Sequence, residues 1–290
     1  MRWPPPSDWP HVSASRQILC APHRWHVQEV GEGPLVLMLH GAGGSTHSFR
    51  GLITALCPQF RIVALDLPGQ GFTQLGARHR CGLEPMVQDI TALCQQEGWA
   101  PTAIIGHSAG SALALRLSQT LTDPQGQAPD VIGINPALDT FDGLAGVLFP
   151  AIAKMLAAVP FTASLFSATS STPARVQSLI RGTGSELDKE GLRLYQRLVA
   201  NRDHVDGTLL MMSQWSLDGL LKSLPEIATR TLFVIGTEDR TVPPRVARAA
   251  APRLKNAEVV ELEGYGHLVH EEAPDRMATE ISRFLHTQDK

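Results

Sequence analysis

The chain has 290 residues, of which 43% are hydrophobic and 18% are charged, and its formal net charge at pH 7 is −3. This composition is typical of a folded globular protein and excludes an intrinsically disordered chain. The small net charge and the lack of a basic cluster argue against a nucleic-acid-binding protein. The length suffices for one large domain or for a core with an inserted subdomain.

Strand-like patterns recur along the outer parts of the chain. Residues 16–20 and 24–30 predict an antiparallel hairpin at the edge of a sheet. Six short apolar runs follow, each closed by Gly, Pro or Asp, which is typical of strands buried on both faces of a parallel sheet. These runs are LVLMLHG (35–41), RIVALDLPG (61–69), TAIIGHS (102–108), DVIGINP (130–136), TLFVIGTED (231–239) and AEVVELEG (257–264).

Helical patterns separate the predicted strands, for example at residues 84–98 and 243–254. The last helical pattern places four apolar side chains on one face, those of Met277, Ile281, Phe284 and Leu285. Strands and helices in alternation imply right-handed crossovers and a mostly parallel central sheet flanked by helices. We therefore predict an α/β fold.

The alternation breaks between residues 137 and 224, where strand signals vanish and helical patterns dominate. We predict an α/β core of residues 1–136 and 225–290 with an inserted helical cap of residues 137–224. The apolar stretch 143–166 lies inside this cap, but Lys154 and two prolines interrupt it. It predicts two short helices that form an apolar wall able to rest on a membrane surface, and no membrane span.

The four cysteines (Cys20, Cys57, Cys81 and Cys94) show no metal-type spacing, and the first residues lack the layout of a secretory signal. Free, buried thiols in a reducing compartment are expected, which predicts a cytoplasmic protein. No dinucleotide-binding or P-loop glycine motif occurs, and no histidine–carboxylate spacing indicates a metal centre. The site is expected to work without a cofactor.

A G-x-S-x-G sequence occupies residues 106–110, between a predicted strand and a predicted helix. This context is that of a nucleophile elbow, a sharp turn that projects a serine hydroxyl above the sheet. Gly106 and Gly110 let strand and helix approach closely, and the helix directs its N-terminal amides at the reaction centre. Ser108 is therefore the candidate nucleophile.

A serine nucleophile needs a base and an acid that orients the base, in the chain order Ser, Asp or Glu, His on this fold. Asp239 and His267 follow successive predicted strands, so both are expected at the same sheet edge as Ser108. Glu238 competes with Asp239, but the D-R-T-V-P continuation favours Asp239. His270 competes with His267, but its place at the start of a helix predicts contact with solvent or a cap group.

Three further aspartates have other predicted roles. Asp139 and Asp142 follow the strand at 130–136 and are alternative positions for the acid. Asp66, in the sequence LDLPGQG, is expected to stabilise a turn by accepting hydrogen bonds from its amides.

An oxyanion hole requires N–H donors where negative charge develops. One predicted donor is the N–H of Ala109, and the second is the N–H of Ala42 in the HGAGG loop (40–44). The loop glycines, Gly43 among them, allow a close approach to a ligand. His40 is expected to anchor this loop through hydrogen bonds.

These motifs resemble the α/β-hydrolase superfamily over nearly the whole chain. Several stretches more narrowly resemble the magnesium chelatase accessory proteins (the BchO family) of bacteriochlorophyll biosynthesis in photosynthetic bacteria. They are SDWPHVSASRQ, RWHVQEVGEGP, HGAGGSTHSFRGL, DLPGQGFT, GHSAGSA, INPALDTFDGLAGVLF and RGTGSELDKEGLRLYQRLV. Many members read HGTG where this chain has Ala42, and this change keeps the backbone donor but removes a side-chain hydroxyl.

The family resemblance implies triad roles for Ser108, Asp239 and His267, and a function near magnesium insertion into protoporphyrin with contact to the chelatase. It also implies an apolar substrate such as a tetrapyrrole or its ester, which needs a large pocket with few polar groups. The candidate lining residues are His40, Gly43, Leu148, Phe149, Met155, Leu156, Phe161, Phe166, Met211, Met212 and Trp215. The apolar residues among them are equally compatible with packing of the cap against the core.

Three functions are open at this stage. The first is a cofactor-independent serine hydrolase that acts on an ester-like carbonyl. The second is a non-catalytic porphyrin-binding accessory protein with a vestigial triad. The third is a carbon–carbon bond hydrolase or a general carboxylesterase, both of which use the same triad.

Overall fold

The computed structural model describes residues 1–139 and 162–287. Eight strands form one sheet in the order β1-β2-β4-β3-β5-β6-β7-β8. Strands β1 and β2 form an antiparallel hairpin, β2 also pairs antiparallel with β4, and all other pairs are parallel. The strands are β1 (Ser15–Cys20), β2 (His23–Val30), β3 (Leu35–Leu39), β4 (Arg61–Leu65), β5 (Ala103–His107), β6 (Asp130–Ile134), β7 (Thr231–Gly236) and β8 (Ala257–Leu262). The predicted hairpin, strands and mostly parallel sheet are confirmed.

The helices cover both faces of this sheet. They are α1 (Arg50–Leu56), α2 (Leu83–Glu97), α3 (Ala109–Leu117), α4 (Thr162–Ser170), α5 (Pro173–Gly182), α6 (Lys189–Val199), α7 (Arg202–Gln214), α8 (Asp218–Ser223), α9 (Arg245–Ala250), α10 (Val269–Glu272) and α11 (Pro274–His286). Short 3-10 helices lie at Val12–Ala14, Thr46–Phe49, Arg78–Arg80, Leu224–Glu226 and Ala251–Arg253.

The hydrophobic core around the sheet has two halves, one on each face, and a third buried cluster joins Trp9 and Phe72 to α5 and α6. In β3, Leu37 packs with the half that includes α2, α3 and α9, whereas Met38 packs with the half that includes α1, α10 and α11. Successive side chains of a strand point to opposite faces, so a run of apolar residues is needed when both faces are covered. On α11, three of the four predicted face residues are buried and Leu285 is partly buried.

Between β6 and β7 the described residues 162–223 form the five helices α4 to α8, and none of them lies in a strand. We call this part the helical insertion. Residues 140–161 fall outside the described residues, and with them Asp142, Leu148, Phe149, Met155, Leu156 and Phe161. No helix within residues 1–139 and 162–287 is long and apolar enough to cross a membrane.

All four cysteines are free thiols. Three are buried as expected, but Cys57, which follows the last residue of α1, is half-buried. The expectation of burial is wrong for Cys57 because the end of this short helix is partly open to solvent.

Candidate active site

Ser108 lies between β5 and α3 with φ 52° and ψ −116°. A positive φ is strained for a residue with a Cβ atom, and such strain is typical of a nucleophile elbow. A Cβ atom on Gly106 would lie 2.1 Å from the carbonyl oxygen of Gly110, and one on Gly110 would lie 2.1 Å from that of Leu39. Both positions therefore need glycine, and G-x-S-x-G lies in the strand–turn–helix context that the sequence predicts.

His267 and Asp239 form a buried hydrogen-bonded pair at the same edge of the sheet. Oδ1 of Asp239 accepts the backbone N–H groups of Thr241 and Val242, each at 2.8 Å. Oδ2 lies 2.7 Å from Nδ1 of His267. This contact assigns the proton of the neutral imidazole to Nδ1, so that Nε2 carries the free lone pair.

The structure shows which of the candidate carboxylates contacts His267. The Glu238 side chain is exposed, and only its backbone N–H takes part in the site, as a donor to the carbonyl oxygen of Tyr265 at 2.9 Å. Asp139 forms a surface ion pair with Arg245, with 3.6 Å between nitrogen and oxygen. The carboxylate that contacts His267 is that of Asp239.

His270 differs from its sequence expectation. Its side chain is fully buried, and its ring lies 4.3 Å from the ring of His107 and 5.3 Å from that of Phe49, measured between centroids. Neither ring nitrogen has a hydrogen-bond partner among the described residues, and burial lowers the pKa of His270 to about 3. The prediction of solvent or cap contact is wrong because the short helix α10 turns this side chain inward.

His107 connects the nucleophile strand to the histidine loop. It directly precedes Ser108, and its Nε2–H donates to the carbonyl oxygen of His267 at 2.9 Å. The His107 and His267 rings are 4.7 Å apart between centroids. The Ser108 hydroxyl makes no hydrogen bond within the described part of the chain, and catalytic bonds are often long until substrate is bound.

Asn135, just after β6, is a site residue that the sequence analysis did not identify. Its amide nitrogen donates to the carbonyl oxygens of Gly266 at 2.9 Å and His267 at 2.7 Å. Its amide oxygen accepts the N–H of Gly236 at 2.8 Å. Asn135 has φ 44°, a conformation that asparagine tolerates better than most residues. The sequence signal for this residue was its position at the end of a predicted strand, where a polar side chain lies at the same sheet edge as the site.

The 40–44 loop passes directly against the elbow, because a Cβ atom on Gly41 would lie 2.9 Å from Cβ of Ser108. His40 is fully buried beneath this loop. Its Nδ1–H donates to the carbonyl oxygen of Gly41 at 2.7 Å, and its Nε2 accepts the N–H of Leu67 at 2.9 Å. Burial lowers the pKa of His40, which favours the neutral ring that this pattern requires. Both nitrogens are thus engaged in anchoring the loop.

Some backbone N–H groups of the 40–44 loop form hydrogen bonds and others do not. Gly43 N–H donates to Oε1 of Gln70 at 2.7 Å, and Gly44 N–H donates to the carbonyl oxygen of Gly41 at 3.1 Å. The N–H groups of Ala42 and Ala109 have no acceptor in residues 1–139 and 162–287. These two groups are the donors that the sequence predicts for an oxyanion hole.

The Asp66 carboxylate connects two loops, whereas the sequence predicts that it stabilises a single turn. The fully buried carboxylate accepts the N–H of Thr46 and the N–H of Phe72, each at 2.7 Å, and lies 2.6 Å from Nδ1 of His26. Burial raises the pKa of Asp66, but His26 and the backbone donors outweigh it, and the net shift is below the ordinary value. Asp66 therefore stabilises its own turn, as predicted, and also binds Thr46 in a second loop and His26 in β2.

Helix α7 of the helical insertion lies against the same loops. His204 accepts the N–H of Gly71 at Nδ1 (3.0 Å) and donates from Nε2 to the carbonyl oxygen of Gly43 (3.2 Å). Burial is the main cause that lowers the pKa of His204 to about 3. Met211 is buried in the core, 3.2 Å from the Gln70 amide, so it packs instead of lining a pocket.

The remaining pocket candidates on the helical insertion differ in exposure. Met212 and Trp215 are half-buried, with Trp215 packed on the core, and Phe166 is exposed. Within the described ranges no group of three His, Cys, Asp or Glu side chains could hold a metal ion.

Comparison with known proteins agrees with this architecture. A family model described as the alpha/beta hydrolase fold matches residues 34–274. The magnesium-chelatase 30 kDa subunit of Rhodobacter capsulatus is 43% identical over 282 residues, 97% of this chain and 97% of that protein. A pimeloyl-acyl-carrier-protein methyl ester esterase of Xanthomonas oryzae pv. oryzae is 26% identical over 261 residues, 90% of this chain and 98% of that protein.

Among solved structures, the epoxide hydrolase CorEH superposes with a TM-score of 0.77 over 94% of this chain and 99% of that one, at 19% identity. This likeness is one of fold. The resemblance predicted from the sequence is confirmed: the chain belongs to the α/β-hydrolase fold family and is a relative of the magnesium-chelatase 30 kDa subunit.

Proposed function

We propose that the chain is a cofactor-independent serine hydrolase with Ser108 as nucleophile, His267 as general base and Asp239 as the acid that orients it. The observation that carries the proposal is the 2.7 Å contact between Asp239 and Nδ1 of His267, which leaves Nε2 free to act as a base. The His267 ring lies 4.7 Å from the ring of His107, the residue before Ser108. The strained backbone of Ser108 supports it, because such a turn exposes the hydroxyl to substrate.

The proposed reaction proceeds in two steps. Oγ of Ser108 forms a bond to an ester-like carbonyl carbon while its proton passes to Nε2 of His267. The N–H groups of Ala42 and Ala109 stabilise the resulting oxyanion, and losing one such donor typically raises the barrier by about 2.7–4 kcal/mol. His267 then protonates the leaving group, which departs and leaves the acyl group on Ser108. The same imidazole takes a proton from water as the water oxygen bonds to the acyl carbon, and it returns this proton to Oγ of Ser108 as the acyl–Oγ bond breaks.

The substrate we propose is apolar and of the tetrapyrrole class, in or near bacteriochlorophyll biosynthesis, with an association with magnesium chelatase. The basis is the relative from Rhodobacter capsulatus, whose name is that of a chelatase subunit. The same observation favours a second candidate, a non-catalytic protein that binds porphyrin for the chelatase. Absorbance titration with protoporphyrin and its magnesium form tests this candidate, which fails if micromolar ligand produces no spectral shift.

Labelling with a fluorophosphonate probe tests the hydrolase proposal. We expect wild-type protein to react at Ser108 and Ser108→Ala to remain unlabelled. Asp239→Asn should slow labelling by about 10⁴-fold, because the carboxylate sets the tautomer of the base. Glu238→Gln, which alters the exposed neighbour, is the matched control and should label at the wild-type rate. The proposal is wrong if wild type reacts no faster than Ser108→Ala.

A further inference from the structure

A three-residue segment of the helical insertion, Thr183–Ser185, lies between the two loops that carry the acid and the base. It forms the first half of the connection between α5 and α6, residues 183–188. The carbonyl oxygen of Thr183 accepts the N–H of Arg240, next to Asp239, at 3.1 Å. The same oxygen accepts the N–H of His267 itself at 3.3 Å. One carbonyl group therefore joins the acid loop and the histidine loop.

The segment is in close contact with both loops. Gly184 has φ 87°, and a Cβ atom on it would lie 2.0 Å from the carbonyl oxygen of Glu238. A Cβ atom on Gly266 would lie 2.3 Å from the carbonyl carbon of Gly184 and 2.4 Å from the nitrogen of Ser185. Glycine on each side lets the backbones touch, so a shift of the segment displaces the loops.

Side chains reinforce this contact. Ser185 is fully buried, and its Oγ accepts the N–H of Leu268, the residue after His267, at 2.8 Å. The Glu272 carboxylate accepts the N–H of Glu186 and the N–H of Gly266, each at 3.0 Å. Three successive amides of the histidine loop, those of residues 266–268, are thus bound by the helical insertion or by a carboxylate shared with it.

The core and the helical insertion each bind one backbone group of His267. The core holds the carbonyl oxygen through Asn135 and His107. The helical insertion holds the N–H through Thr183. Catalytic side chains need to be held to within about 0.5 Å of productive geometry, and such precision requires support from the surrounding residues.

We propose that Thr183–Ser185 is a positioning segment for the Asp239–His267 pair, so that seating of the helical insertion on the core sets the geometry of the base. This inference rests on the proposed hydrolase function. The segment bonds to the N–H groups of Arg240, His267 and Leu268, and it acts through the backbone of the two loops.

Gly184→Ala is the principal test, and Gly182→Ala is its control. Alanine at residue 184 meets the Glu238 carbonyl oxygen and a left-handed backbone, whereas a Cβ atom at residue 182 has nothing within 4 Å. We expect Gly184→Ala to slow fluorophosphonate labelling of Ser108 by about 100-fold, the typical effect of a 1 Å displacement in a catalytic site. Gly182→Ala should label at the wild-type rate.

A second readout is the downfield proton resonance of the His267 Nδ1–H bonded to Asp239, identified by its loss in Asp239→Asn. We expect Gly184→Ala to shift or abolish this resonance and Gly182→Ala to retain it. A segment that served stability alone would lower the melting temperature without moving the resonance. The resonance reports on the pair whether or not Ser108 reacts.

Ser185→Ala provides a milder variant in case Gly184→Ala does not fold. It removes only the oxygen that accepts the Leu268 N–H, and we expect labelling about tenfold slower, a barrier change of about 1.4 kcal/mol. Ser118→Ala is the control, because Ser118 is a buried serine at the end of α3, with its Oγ 2.9 Å from the Leu115 carbonyl oxygen.

The outcomes separate the two proposals. If wild type labels no faster than Ser108→Ala, the hydrolase proposal fails and the resonance alone decides the positioning inference. If folded Gly184→Ala and Ser185→Ala both keep the wild-type labelling rate and resonance, the positioning inference is overturned.

Discussion

Asn135 illustrates, at the scale of single residues, how much the candidate site depends on side chains that perform no chemistry. It is 1% exposed and has a positive φ. Its amide bonds to three backbone groups, two in the histidine loop and one at the end of β7. Both halves of the amide are used, so aspartate, which has no N–H donors, is no substitute.

Asn135→Ala should lower the free energy of unfolding by about 2–6 kcal/mol, because the Gly266 carbonyl oxygen and the Gly236 N–H lose their partner and a buried polar group without a partner costs about 1–3 kcal/mol. It should also slow labelling of Ser108 by at least about tenfold, since His107 alone among the core side chains then holds the His267 carbonyl oxygen. Urea unfolding and fluorophosphonate labelling measure the two effects.

Asn256→Ala is the control for this prediction, because Asn256 is exposed and surface substitutions usually change stability by less than about 0.5 kcal/mol. Equal unfolding curves for Asn135→Ala and Asn256→Ala would contradict the role of Asn135 in stability.

At the scale of elements, a buried polar cluster fastens α6 of the helical insertion to the core. Glu271, on α10, pairs with Arg50 at the start of α1, and its Oε1 accepts the hydroxyl of Tyr195 on α6 at 2.7 Å. Burial raises the pKa of Glu271 to about 7, although Arg50 and Tyr195 act in the opposite direction. Burial also raises the pKa of Tyr195 well above its ordinary value, so its hydroxyl keeps the proton that it donates.

Tyr195→Phe should lower the free energy of unfolding by about 1–3 kcal/mol, because one oxygen of the buried Glu271 loses its donor. Urea denaturation measures the change. The matched control is Tyr265→Phe, which alters the only other tyrosine of the chain, a half-buried residue whose hydroxyl has no hydrogen bond in the described ranges. If the free energy of unfolding falls equally in both variants, the hydrogen bond of the Tyr195 hydroxyl does not stabilise the fold.

At the scale of the whole molecule, buried neutral histidines connect stability to pH. Burial is the main cause that lowers the pKa of six of them, which are His23, His40, His47, His107, His204 and His270. For His204 and His270 the value in the folded protein is about 3. Each of these two stays neutral between about pH 3 and 6.5 in the folded state, whereas its unfolded counterpart binds a proton there.

The free energy of unfolding should therefore fall as the pH drops below about 6.5, because the unfolded state binds more protons. Each such histidine contributes up to about 1.4 kcal/mol per pH unit. Glu271 has the opposite sign, since its raised pKa makes the folded state bind the extra proton between about pH 4.5 and 7, and it offsets one histidine. The pKa of Asp66 is lowered, so this group affects the pH dependence of the free energy of unfolding only below about pH 4.

Urea unfolding at several pH values between 7.5 and 5 measures this slope. His270→Phe, which removes one buried histidine that packs on Phe49, should reduce the slope by about one proton. His79→Gln alters an exposed histidine and should leave the slope unchanged. A flat stability profile from pH 7 to 5 is incompatible with this interpretation.

Local patterns of residues were sufficient to predict the elements of the fold and the candidates for the site. Apolar runs closed by turn residues are local patterns, and they predicted all six parallel strands. Strands β3 to β7 are buried almost throughout, whereas β8 lies at the edge of the sheet and only its Leu262 is buried. The chain order of Ser108, Asp239 and His267 placed them at one sheet edge, because the carboxyl ends of parallel strands share that edge.

The packing of side chains around the site required the three-dimensional structure. Asp239 faces His267, as the D-R-T-V-P continuation favoured, but His270 is buried although its position in the chain predicted otherwise. The structure also shows that Asn135 and Thr183–Ser185 hold the histidine loop. These contacts join residues that are 28 to more than 130 positions apart. They depend on how loops pack after the sheet has formed, and no local pattern of residues encodes that packing.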